Sequence, residues 1–193
     1  VLNRLYHWTM GFAAHPHALL ILALISFAES SFFPLPPDIL LIPMVLAARE
    51  QAWKIAFVCT AASVVGGLAG YGIGYGFFET LGKAVLEFYN AVEKFESVKE
   101  LYNEHGVLIV FSAGFSPIPY KLFTIASGLT QMEIMPFTLA SLIGRGLRFF
   151  LIAALLWKFG SPIRLFIERH LGKLSLAFVV LLVGSFALIK LWH

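Results

Sequence analysis

From Ile55 to Phe78 the chain runs for 24 consecutive residues without a formal charge. A helix over 54–78 reaches about 37 Å, more than the roughly 30 Å of a bilayer's hydrocarbon core. A second stretch of similar length, 134–157, carries only Arg145 and Arg148. In a soluble protein such helices would need a large polar exterior around them, and this chain has none to offer. Charged residues make up 13% of its 193 positions and hydrophobic ones 59%, against roughly 25% charge in a typical soluble domain. The mean hydropathy is +0.84. The expected fold class is therefore all-α: a polytopic integral membrane protein forming a single membrane domain over 1–193, with room for roughly four to six embedded segments.

The formal net charge of +3 is too small for a nucleic-acid partner and suits modestly basic cytoplasmic loops. Cys59 is the single cysteine, which excludes an intrachain disulfide and a multi-cysteine metal site. No cleavable signal peptide is expected, because the first residues lack a short apolar core leading to a small-residue cleavage pattern.

Residues 1–16 read as an interfacial segment with Tyr6 and Trp8 at headgroup depth. An apolar run from His17 to Ala28 meets Glu29 and then the break Pro34-Leu-Pro36-Pro37-Asp38, after which Ile39–Ala48 is apolar again. Each arm is too short to span, which is the pattern of a re-entrant hairpin. Gly66, Gly70 and Gly74 recur every four residues in the crossing that follows, a smooth stripe for close helix packing. Residues 79–105 alternate charged and apolar positions at helical spacing and predict an amphipathic helix on the membrane surface. Val107–Phe115 and Leu122–Thr130 form a second pair of short arms around Pro117-Ile-Pro119-Tyr120-Lys121. A loop with Lys158, Arg164, Arg169 and Lys173 precedes a last apolar helix, 174–189.

The two proline breaks match at an offset of 83 residues: Phe32 with Phe115, Pro34 with Pro117, Pro36 with Pro119, Ile42 with Ile125 and Leu46 with Leu129. The match continues at an offset of 78, with Ser63 against Ser141, Gly66 against Gly144, Tyr71 against Phe149 and Gly82 against Gly160. The unit is a hairpin plus a crossing, present twice, over about 20–90 and about 105–170, with the C-terminal helix in 174–192. If each hairpin returns to its own side, an odd number of crossings separates the copies and they enter the bilayer from opposite faces, as inverted repeats do. With the N-terminus inside, the inner side collects Arg4, Arg49, Lys54, Lys158, Arg164, Arg169 and Lys173. The outer side holds Lys83, Lys94, Lys99 and Lys190, diluted by six glutamates. The positive-inside rule selects this orientation.

The first hairpin with its acidic residues, the GGLAGYGIGYG crossing, and FSPIPYKLFTIASGLT before an arginine-bearing helix resemble the DedA family, which shares its domain with the SNARE-associated Golgi proteins (the VTT domain). The resemblance covers about residues 20–190. It implies a bacterial inner-membrane protein of envelope homeostasis that moves a lipid with an anionic headgroup, polyprenyl phosphate or phospholipid, in some members coupled to proton-motive force. In family terms Glu29 and Asp38 match the acidic positions of the first hairpin, at shorter spacing than usual. Lys121 stands where the second hairpin usually has an arginine, and Gly114 replaces the other usual arginine.

Glu29, Asp38, Lys121, Arg145 and Arg148 are the candidate site residues, since charges within apolar stretches cost at least about 2.5–3.5 kcal/mol on insertion scales. Lys121, Arg145 and Arg148 suit a phosphate headgroup, and Glu29 and Asp38 suit proton uptake. Alternatively they neutralise one another within the fold, with Asp38 and Lys121 paired between equivalent tips. His15 and His17 do not share a helical face, so no metal is expected. Ser112 and Ser116 lack a hydrolase arrangement, so no catalytic residue or cofactor is expected either. The partners expected are membrane lipids, protons and further copies of the chain. Two other functions fit the residues: a proton- or ion-coupled small-solute transporter, and a non-transporting membrane scaffold.

Overall fold

A computed structural model of the chain describes residues 17–33, 35–88, 92–116 and 118–160. The interfacial segment 1–16, the loop with Arg164, Arg169 and Lys173, and the helix expected over 174–189 lie outside these residues. Within them the protein is helical, with no strand. Helix α1 spans Ala18–Ser31 and α2 spans Asp38–Ala47. A 3-10 turn, Arg49–Gln51, leads into α3, Ala52–Phe77, whose last turn widens into a π turn, Phe78–Gly82. Then follow α4 (Lys83–Phe88), α5 (Val92–Phe115), α6 (Tyr120–Leu129) and α7 (Ile134–Phe159).

The helices that the sequence match sets opposite each other have equal lengths. Helices α2 and α6 are both 10 residues long, and α3 and α7 both 26. The longer pair are apolar enough to cross a membrane and reach about 39 Å each at 1.5 Å per residue. Large apolar side chains such as Phe57, Leu139 and Ile143 stand about half exposed on them, as lipid-facing positions require. Trp53 at the start of α3 stacks on Phe150 and lies 6.1 Å from the Trp157 ring at the end of α7. At the other end Tyr71 of α3 reaches Phe137 of α7, at 5.2 Å between ring centroids. The equivalent helices α3 and α7 therefore run antiparallel.

Within each half the first arm runs parallel to its crossing helix. Ser26 meets Cys59 and Ser30 meets Ser63 along α1 and α3, so the chain reverses twice between these helices, through α2. In the second half α5 and α6 pack side by side and antiparallel, with Tyr102 bonded to Phe123 and Ser127. The close approaches rest on glycine. A Cβ on Gly66 would overlap the backbone of Phe27, and one on its repeat partner Gly144 would overlap that of Phe111. Helix α6 also lies on α3, α2 contacts α7, and α3 packs on α7, so the halves interlock.

Two boundaries differ from the sequence reading. Helix α1 continues through Glu29 to Ser31, because a lone carboxylate does not break a helix and the prolines begin only at Pro34. The charged segment is not one helix over 79–105. It bends through the π turn and α4, and from Val92 it is continuous with the arm ending at Phe115. Nothing between Glu104 and Val107 interrupts that helix, and Gly106 is filled by the Met132 side chain.

Candidate functional site

Arg145 and Arg148 lie three residues apart on α7 and so share a face. Arg145 is the twelfth residue of α7, and Ser63, which it touches, is the twelfth of α3. Both therefore lie near the middle of the crossing helices. Only 3% of Arg145 and 8% of Arg148 is exposed. Guanidinium groups at that depth must be satisfied by protein.

Arg145 has partners from four helices. Its Nη2 donates to Glu29 Oε2 at 2.7 Å, and its Nε donates to Ser63 Oγ at 2.5 Å. The guanidinium lies 4.6 Å from the Phe149 ring centroid and 5.1 Å from that of Tyr120, each a cation–π distance. Ser30 ties the group together, with Oγ donating to Glu29 Oε2 at 3.1 Å and lying 2.7 Å from Ser63 Oγ. Thr124 Oγ1 donates to the Ser30 carbonyl at 3.0 Å, and the Tyr120 hydroxyl bonds Ser141 Oγ. Helices α1, α3, α6 and α7 thus converge on one cation.

Arg148 bridges the two breaks instead. Its Nη2 donates to Asp38 Oδ2 at 2.5 Å and its Nη1 to the Ser116 carbonyl at 2.6 Å. Asp38 opens α2, where the helix dipole favours a negative charge. Two atoms of this pair, Arg148 Nε and Asp38 Oδ1, are buried with no hydrogen-bond partner among the described residues. Beside them lies a cavity of about 40 Å³, lined by Glu29, Pro36, Pro37 and Asp38 from the first half and by Ser116, Ile118, Arg145 and Arg148 from the second.

Four of the five candidate residues therefore meet. Lys121 does not join them. It is the second residue of α6, half-buried, and makes no ion pair among the described residues. The tip-to-tip pair of Asp38 with Lys121 is not formed, because the Arg148 guanidinium occupies the position between the breaks. Gly114 lies close against α7: a Cβ there would lie 3.3 Å from the Arg145 backbone nitrogen and 3.4 Å from Gly144. Sequence reasoning missed the partners Ser30, Ser63, Ser116 and Tyr120. A signal for the first existed in Ser26 and Ser30, four apart on one face of α1, and Ser63 already stood out as the repeat partner of Ser141.

An all-helical protein with two membrane-length helices and a buried ionic cluster at their centre belongs to the polytopic membrane class. The VTT domain matches residues 35–158. The chain is 36% identical over 190 residues to an uncharacterized protein of Haemophilus influenzae, with 98% of both chains covered. It is 41% identical over 172 residues to a protein of Histophilus somni, likewise uncharacterized, covering 87% of this chain and 90% of the relative. A protein of Methanocaldococcus jannaschii is 26% identical over 126 residues, 65% of this chain and 75% of the relative. No solved structure matches. The chain is a membrane protein of the VTT-domain (DedA/SNARE-associated) family.

Proposed function

We propose that this protein moves a lipid with an anionic headgroup, polyprenyl phosphate or phospholipid, across the bilayer, with the cluster of Glu29, Asp38, Arg145 and Arg148 as its polar midplane site. One observation carries the reading: two arginines at mid-helix pair with two carboxylates beside a cavity to which both proline breaks contribute. A scaffold has no need of a polar cavity at the bilayer centre, whereas a headgroup crossing the hydrocarbon needs one. Arginine supplies the forked donor that phosphate takes up. Glu29 and Asp38 are the proton acceptors if movement is coupled to a pH gradient, and Lys121, one tip away, is a second headgroup contact. The antiparallel course of α3 and α7 supports inverted repeats entering the membrane as re-entrant hairpins from opposite faces. The site then opens to each leaflet in turn. In this reading the protein sits in a bacterial inner membrane with its N-terminus cytoplasmic.

The test is headgroup translocation in proteoliposomes of the purified protein, with fluorescent phospholipid and polyprenyl-phosphate probes, with and without an imposed pH gradient. Movement of either probe supports the reading, and gradient dependence adds proton coupling. No movement of either, with the protein folded and inserted, overturns it in favour of the small-solute transporter or the scaffold. The scaffold draws on an observation of its own, the closure of both ion pairs.

A further inference from the structure

Eight described residues line the cavity beside the ion pairs, and six of them are buried or half-buried. The two exposed ones are Pro36, from the first break, and Ile118, from the second. The cavity therefore meets the surface between the two breaks, with these side chains as its lips. The surface that flanks the lips along the chain is apolar. Phe32, Phe33, Leu35 and Ile39 are exposed in the first break and Leu122 in the second. The charges of these stretches, Asp38 and Lys121, are half-buried. Exposed charge lies instead at the helix ends, with Arg49, Glu50 and Lys54 where α3 begins and Lys158 where α7 ends. The cavity reaches Arg145, the twelfth of the 26 residues of α7, so its mouth lies at about half the height of that helix. At that depth an apolar rim faces hydrocarbon. The cavity measures about 40 Å³, on the order of one to three waters in size. It takes a compact polar group and has no room for a chain.

We infer that the cavity opens sideways into the bilayer between the two breaks and that its ligand is an amphiphile. A compact anionic headgroup passes Pro36 and Ile118 toward Arg145 and Arg148, whose forked donors suit it. Its hydrocarbon chain stays outside, against Leu35, Ile39 and Leu122. A small solute would need a mouth on water, at a charged end of the bundle. The inference rests on the reading of the cluster as a headgroup site and adds the route of entry and the place of the chain.

The experiment places a nitroxide on Ile118→Cys, Phe57→Cys or Glu50→Cys, each combined with Cys59→Ala, in the full chain in nanodiscs. Collision with oxygen, which concentrates in hydrocarbon, is compared with collision with a water-soluble nickel chelate. Dodecyl phosphate or inorganic phosphate is then added at equal concentration. The Ile118 label should favour oxygen as Phe57 does and the reverse of Glu50. Dodecyl phosphate should slow its motion by at least about twofold, leaving Phe57 unchanged, and inorganic phosphate should do nothing. Nickel access at Ile118 like that at Glu50, or an equal response to inorganic phosphate, overturns the inference, because the mouth then lies on water. No response to dodecyl phosphate, or the same response at Phe57, overturns it too. If the label at Ile118 itself closes the mouth or prevents folding, Leu122→Cys carries it and the same outcomes decide. A mouth on water leaves the translocation assay standing, and an absence of lipid movement leaves a response to dodecyl phosphate standing.

Discussion

The ion pairs Glu29–Arg145 and Asp38–Arg148 sit one helical turn apart on α7, and they are finished differently. Around Arg145, four helices supply a carboxylate, a serine hydroxyl and two aromatic faces. Around Arg148, two chain breaks supply a carboxylate and a backbone carbonyl, and two polar atoms have no partner among the described residues. The difference follows from which elements supply the partners. Residues inside packed helices arrive in fixed register and can surround a guanidinium. Breaks contribute fewer groups and leave room beside them. Placing both kinds of contact on one turn of one helix ties the two chain breaks to the packed helices.

The comparison is tested first by removing each cation. Arg145→Ala leaves Glu29 and Ser63 without their partner in the packed interior. A loss of about 3–5 kcal/mol is expected, the range for breaking a buried pair, read from denaturation in detergent. Arg148→Ala should cost less, about 1–3 kcal/mol, because Asp38 keeps the favourable end of α2. Equal losses would erase the distinction. Ser63→Ala sharpens it: this change strands Arg145 Nε–H, and about 1–3 kcal/mol is expected. Ser116→Ala should cost less, since Arg148 uses the Ser116 carbonyl and not its hydroxyl.

Gly144→Ala sets a methyl against the Phe111 carbonyl and pushes α5 from α7 at about 1–3 kcal/mol. Gly146→Ala, which meets only Thr60 Cγ2 at 3.7 Å, should be close to neutral. The smallest effect is expected for Lys121→Ala, within about 0.5 kcal/mol, because that side chain makes no ion pair among the described residues. A large loss there would mean that the tip cation takes part in the scaffold.

Much of this architecture was legible in the sequence, because membrane burial turns composition and length into strong constraints. The glycine stripe and both long apolar helices followed from residue spacing alone. The charges within apolar stretches also stood out, since nothing else explains Arg145 and Arg148 at mid-helix. Their pairing did not follow. It depends on the rotation of α7 about its axis and on how deeply each break reaches, and equivalence of the tips suggested Asp38 with Lys121. The continuity of α5 through Gly106 was hidden for a related reason. A change from charged to apolar sequence marks a change of surroundings, not an end of helix.

Headgroup translocation by folded wild-type protein and by Arg148→Lys, in the same proteoliposomes, is the most direct measurement of whether the cluster moves lipid. The expected result is probe movement in the wild type and at least about a tenfold loss in the variant, whose lysine cannot reproduce the forked donor, with its denaturation midpoint close to that of the wild type. No movement in folded wild type, or equal rates in the two proteins, would contradict it.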